Sequence, residues 1–179
     1  MAAPSYTKAA RALHWISALA VLSLLGMGLW MTGLPLGFTK LYAYNWHKWI
    51  GLTVLVLTIG RLLWRWRHRP PPLPATVRRW EAMLAPAGHW TLLILLLAMP
   101  LSGWLMSSAA GVSVVWFGYV RLPDLVPRDL GLFEALKTTH YIFSRLLIAV
   151  LVLHVGAVLH HDVLRRDGIF RRMWPFGEA

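Results

Sequence analysis

Four apolar runs alternate with polar stretches along the chain, at residues 13–31, 46–63, 89–106 and 140–159. A helix needs about 20 apolar residues to cross the hydrocarbon core of a bilayer, so this pattern predicts four transmembrane helices. No Asp or Glu interrupts any of the runs. The breaks between them are marked by Gly33, Pro35 and Gly37, by the run "PPPLP" ending at Pro74, and by a long loop over 107–138. Proline forbids helix continuation at such places. The stretch "ATVRRWEAMLAPAGHW" predicts a short interfacial helix, capped by Thr76, ahead of the third span. Pro100 and Gly103 predict a kink within that span. The expected fold class is therefore all-α: an integral membrane four-helix bundle forming a single domain over residues 1–179.

Composition agrees with the pattern. Of 179 residues, 58% are apolar and 14% charged, with a mean hydropathy of +0.55, which is not the balance of a water-soluble domain. The net charge of +11 raises the question of a polyanion partner, and its distribution answers it. Lys8, Arg11, Arg61, Arg65, Arg67, Arg69, Arg78, Arg79, Arg165, Arg166, Arg171 and Arg172 fall at one end if the spans alternate. The other end holds only Lys40, Lys48, Arg121, Arg128 and Lys137, offset by Asp124, Asp129 and Glu134. The positive-inside rule then places both termini in the cytoplasm, and no nucleic acid is needed to explain the charge. The first span is read as retained, because "MTGLPLGF" follows it and not a small-residue cleavage site. The absence of cysteine removes disulfides, iron–sulfur clusters, thiolate zinc sites and covalently attached haem.

Candidate chemistry lies in the histidines. His140 and His154 are fourteen residues apart on the fourth span, which returns them to within about 40° of one helix face, ~21 Å apart along the axis. His161 continues that face ~10 Å further on. In the alternating arrangement, His14 and His154 share the cytoplasmic half, and His47 and His140 the outer half. Two imidazoles on facing helices at each level suit axial ligation of a haem iron between them. Zinc wants three or four ligands at one level, commonly with carboxylate or thiolate. Proton relays favour intramembrane carboxylates, and the spans contain none.

Among the other polar groups, His68 reads as solvated and His160 as interfacial. His89 is placed either at a haem edge or at the interface. Arg145 either reaches a haem propionate or snorkels to the surface. His161 lies where a quinone headgroup would take electrons from the inner level, and an imidazole there can hydrogen-bond a quinone oxygen and pass it a proton.

The segments "LHW" at 13–15, "WHKWIGLTVLVLTIGRLLWR" from Trp46, "AMPLSGWLMSSAAG" from Ala98, "WFG" at 116–118 and "LHVGAVLHHDVLRRDGIFRRMWP" from Leu153 together resemble the bacterial cytochrome b-561 family. These are small four-helix di-haem proteins of the bacterial inner membrane, and the resemblance covers nearly the whole chain. It implies two haem b groups, His14 with His154 on the inner iron and His47 with His140 on the outer, and supports His161 at a quinone site. It also implies a superoxide:ubiquinone oxidoreductase activity known in that family, with superoxide as donor and ubiquinone as acceptor. The chain departs from the pattern at Asp162, where the resemblance leads one to expect a histidine. A second reading stays open, that of an electron-carrying cytochrome b subunit linking a partner dehydrogenase to the quinone pool.

Overall fold

The structure, a computed structural model, describes residues 5–74 and 76–176; the remainder of the expected single domain (1–4, 75 and 177–179) lies outside the described residues. Four long helices, α1 (Lys8–Thr32), α2 (Phe38–Arg67), α3 (Arg79–Ala109) and α4 (Leu130–Leu159), account for the four apolar runs. Each extends beyond its run. Thr7 caps α1, its Oγ1 accepting from Ala10 N–H at 3.3 Å, and Asp129 caps α4 by accepting from Leu132 N–H at 3.0 Å.

α2 begins at Phe38, immediately after Gly37, so residues 38–45 are helical where a longer connection was expected. The helix breakers end at Gly37, and nothing from Thr39 to Asn45 lacks a backbone donor. α3 is likewise one helix from Arg79, not a separate interfacial helix followed by a span. Its N-cap is Arg78, whose N–H is held by the Glu81 carboxylate at 2.8 Å, and Thr76 does not cap it. Pro86 lies between strong helix formers, and the helix runs on through it. It runs on through Pro100 too, and just beyond it the Ser102 hydroxyl donates to the Met99 carbonyl at 2.8 Å.

Consecutive helices pack in chain order, α1 on α2, α2 on α3 and α3 on α4. The backbones of α1 and α4, and of α2 and α4, make few close approaches among the described residues. The central core is Val21, Val54, Leu95, Leu96 and Leu147, drawn from all four helices. Outward-facing apolar side chains such as Leu19, Ile94 and Leu153 are 65%, 61% and 71% exposed. Apolar exposure on this scale around long helices marks a lipid-facing surface.

Each end of the bundle is closed differently. At one end the loop after α3 folds into a hairpin, β1 (Val115–Trp116) with β2 (Val120–Arg121), turning at Phe117 and Gly118, both at positive φ. It is fastened by Trp49 Nε1 donating to Val115 O at 2.6 Å and by Trp116 Nε1 donating to Trp49 O at 3.2 Å. The expected loop thus contains a small sheet, and its last residues belong to α4. At the arginine-rich end, α4 widens into a π-helical turn (His160–Arg165) and Arg166 takes a left-handed conformation, φ 51°. A short 3-10 turn (Phe170–Met173) follows, and the chain folds back beneath the bundle.

That returning segment is tied to three other parts of the chain. Arg11 donates to Trp174 O at 3.0 Å, Trp15 Nε1 to Met173 O at 2.8 Å, and Arg172 to Pro72 O at 2.8 Å. Arg165 clasps Glu81 and also donates to Thr76 O at 2.6 Å. Several arginines counted above as topology signals are therefore used internally; Arg11 and Arg172 are 2% and 5% exposed.

The buried Leu147 supplies the test of this packing. Leu147→Ala leaves a cavity in the shared core and is expected to cost about 2–5 kcal/mol. Thermal unfolding of the detergent-solubilised protein, followed by tryptophan fluorescence, should show a clearly lowered midpoint.

Candidate functional site

Seven residues are close to two helical turns, so side chains at that spacing recur on one helix face about 10 Å apart. All four helices carry such a series turned to the bundle interior: His14, Val21 and Gly28 on α1; His47, Val54 and Arg61 on α2; His89, Leu96 and Gly103 on α3; His140, Leu147 and His154 on α4. Because the helices alternate in direction, the series stack as three layers. Val21, Val54, Leu96 and Leu147 form the apolar middle. His14, Arg61, His89 and His154 make the layer toward the arginine-rich end, and Gly28, His47, Gly103 and His140 the layer toward the hairpin.

The expected histidine pairs meet. The ring centres of His14 and His154 lie 6.3 Å apart, and those of His47 and His140 also 6.3 Å apart. Two metal–nitrogen bonds of about 2 Å each, plus roughly 1 Å from each nitrogen to its ring centre, give facing imidazoles about 6 Å between centres. Both pairs therefore fit one metal ion held between two rings. They also span the helix pairs α1/α4 and α2/α4, whose backbones make few close approaches. His89 approaches His154 as well, at 5.8 Å, but from α3, which packs closely on α4. His89 thus lines the layer, resolving the alternative left open by the sequence.

Hydrogen bonding tunes each ring. The single Ser102 hydroxyl proton goes to Met99 O, so Ser102 Oγ accepts from His140 Nδ1–H at 2.9 Å, leaving the Nε2 lone pair of His140 for a metal. His47 Nδ1 is buried with no hydrogen-bond partner among the described residues, an unmet requirement that a bound group would satisfy. In the other layer Arg61 donates to His14 Nδ1 at 3.3 Å. A guanidinium cannot accept, so this bond leaves the His14 proton on Nε2. Were His14 to hold a metal through Nε2, its proton would sit on Nδ1, and Arg61, the cation of this layer, would be available to a carboxylate.

The glycines leave room where it is needed. A Cβ on Gly103 would lie 3.3 Å from His140 Cε1, and one on Gly28 3.4 Å from His47 Cε1. Sequence reasoning missed Gly28, Arg61, Ser102 and Gly103. The repeated spacing of seven across the four runs was the available signal for Gly28, Arg61 and Gly103.

His161 does not simply continue the α4 stripe, because the π-helical turn begins at His160. It is held by Asp167, with Nδ1–H donated to Asp167 Oδ2 at 2.5 Å. His160 is exposed, and His68 is exposed and stacked on Trp64 with centres 4.0 Å apart. Arg145 lies on the exposed face of α4, its guanidinium 4.8 Å above the Tyr141 ring.

Comparison with known proteins adds to this geometry. The family model described as prokaryotic cytochrome b561 matches residues 5–176. Cytochrome b561 homolog 2 of Escherichia coli K12 is 30% identical, over 90% of this chain and 87% of that protein. A protein of Yersinia pestis named probable superoxide oxidase CybB is 29% identical, over 90% of this chain and 91% of its own. Cytochrome b561 homolog 1 of Escherichia coli K12 is 29% identical, over 91% and 93%.

The glycine contacts give a direct test. Gly103→Val drives a branched side chain against His140 and is expected to lower bound haem, whereas Ser102→Ala removes only the partner of Nδ1 and should retain haem with a shifted midpoint potential. Pyridine haemochrome content and a redox titration read the two outcomes.

Proposed function

The chain belongs to the prokaryotic cytochrome b561 family of membrane electron-transfer proteins, which bind haem b, and on that premise we propose that it is a di-haem superoxide:ubiquinone oxidoreductase of the bacterial inner membrane. The observation that carries this reading is the pair of matched histidine couples, each with ring centres 6.3 Å apart, in layers on either side of an apolar one. His14 with His154, and His47 with His140, would hold the two haem irons. Haem bound in this way supplies one-electron transfer.

The protein's own residues set direction. With the arginine-rich end in the cytoplasm, Lys40, Lys48, Arg121, Arg128 and Lys137 lie at the outer end, a positive balance that steers a small anion such as superoxide. Val21, Val54, Leu96 and Leu147 exclude water from the middle layer, so the span between the couples passes electrons and not ions. His161, beyond the inner couple, binds the quinone and gives a proton to its oxygen. The name of the Yersinia pestis relative supports the choice of superoxide.

The exposed tip of the hairpin, where Phe117 and Tyr119 are 40% and 91% exposed, favours the second reading, in which a partner dehydrogenase docks at that end. Stopped-flow mixing decides between them. Reduction of the purified protein by superoxide at a rate competitive with dismutation is expected; reduction only by a partner dehydrogenase would establish the second reading.

Two further outcomes follow from the assignment. Fully loaded protein should give about two haems per chain in a pyridine haemochrome assay, extractable by acid acetone because no cysteine can hold them. His161→Ala should keep both haems and their reduction by superoxide, while reoxidation by ubiquinone-1 slows on the order of tenfold to a thousandfold.

A further inference from the structure

The π-helical turn and the left-handed Arg166 bend the chain so that Asp167, six residues on, returns to His161. The backbone N–H groups of Arg166 and Asp167 both donate to the His161 carbonyl, the latter at 3.3 Å. Asp167 Oδ1 accepts from Ile169 N–H at 3.2 Å, and Oδ2 takes the His161 proton. The Asp167 side chain is 2% exposed and that of His161 13%. A buried carboxylate fixed at both oxygens is an orienting group, of the kind that sets which nitrogen of a histidine faces its target. Here Nδ1 is occupied and Nε2 is left.

We propose that Asp167 is the positioning residue of His161, fixing Nδ1–H so that Nε2 is the nitrogen presented to a quinone and holding the ring as a proton donor when the quinone is reduced. This rests on the quinone reading given above. Conversion of quinone to quinol takes two electrons and two protons; two superoxide ions supply the electrons and leave as dioxygen. Protonated His161 gives one proton from Nε2 to a quinone oxygen, the N–H bond breaking as the O–H bond forms, and the second oxygen takes its proton from solvent water. The neutral ring keeps Nδ1–H on Asp167, and water returns a proton to Nε2. A cavity of about 320 Å³ lined by Asp162, Arg166, Gly168 and Arg171 lies at the same turn. The other charged and titratable groups around it are His160 and the Glu81–Arg165 ion pair, which joins α3 to the same turn.

The test uses full-length, haem-loaded protein in nanodiscs, reduced by superoxide and mixed with ubiquinone-1. Asp167→Asn keeps an acceptor for Nδ1–H, removes the charge and turns an amide NH2 toward Ile169 N–H in place of Oδ1. It is expected to slow reoxidation on the order of ten- to hundredfold, with haem content and the Kd of a non-reducible quinone analogue unchanged. Asp167→Glu should recover most of the rate. In a His161→Ala background, Asp167→Asn should add no further loss, since a residue acting through another is non-additive with it. A slow His161→Ala with Asp167→Asn at the wild-type rate overturns the inference and leaves the quinone reading intact. Wild-type rates in both variants overturn the two together. Loss of haem in Asp167→Asn, or additive losses, assign Asp167 a structural role and overturn the inference as well.

Discussion

The constraint on which the structure depends is the near-match between seven residues and two turns of an α-helix. It lets a single face of each helix contribute to three successive layers, and four antiparallel helices put those contributions in register. The apolar layer of Val21, Val54, Leu96 and Leu147 fixes the register, since these are the side chains by which all four helices touch. The histidine layers then need no separate scaffold. A one-residue slip of any helix would rotate its series by about 100° and carry its histidine out of the interior.

The two outer layers are built from different companions. Toward the hairpin, the helices without a ligand bring Gly28 and Gly103, and Ser102 secures the His140 tautomer. Toward the arginine-rich end they bring Arg61 and His89, which place a cation and a further imidazole beside the pair. Equal spacing of the ring pairs thus coexists with unlike electrostatic surroundings. If the two pairs hold haem irons, as proposed, such unlike surroundings would separate their potentials, because hydrogen bonding and nearby charge are levers on axial ligands.

Much of this was legible in the sequence. Four apolar runs gave four helices, and the depth of His14, His47, His140 and His154 gave the pairs that the structure brings together. Element ends were less legible. Residues 38–45 and 79–88 look polar or broken, yet they extend helices whose hydrogen-bond ladders were already started. The companions Gly28, Arg61 and Gly103 were hidden because glycine and arginine carry no ligand signal of their own; only a search for a common period exposes them. Asp167 was beyond reach for another reason. It meets His161 through a π-helical turn and a left-handed residue, and local sequence does not announce either.

The seam at the arginine-rich end has a consequence for how the protein is made. Of these four helices α1 leaves the ribosome first, but Arg11 and Trp15 wait for acceptors at Trp174 and Met173, beyond the fourth helix. His14 likewise waits for His154, while His47 needs only His140. During synthesis the first helix therefore resides in the bilayer without its polar partners. The layer near the hairpin can close before the other, and the foot of the bundle is sealed last.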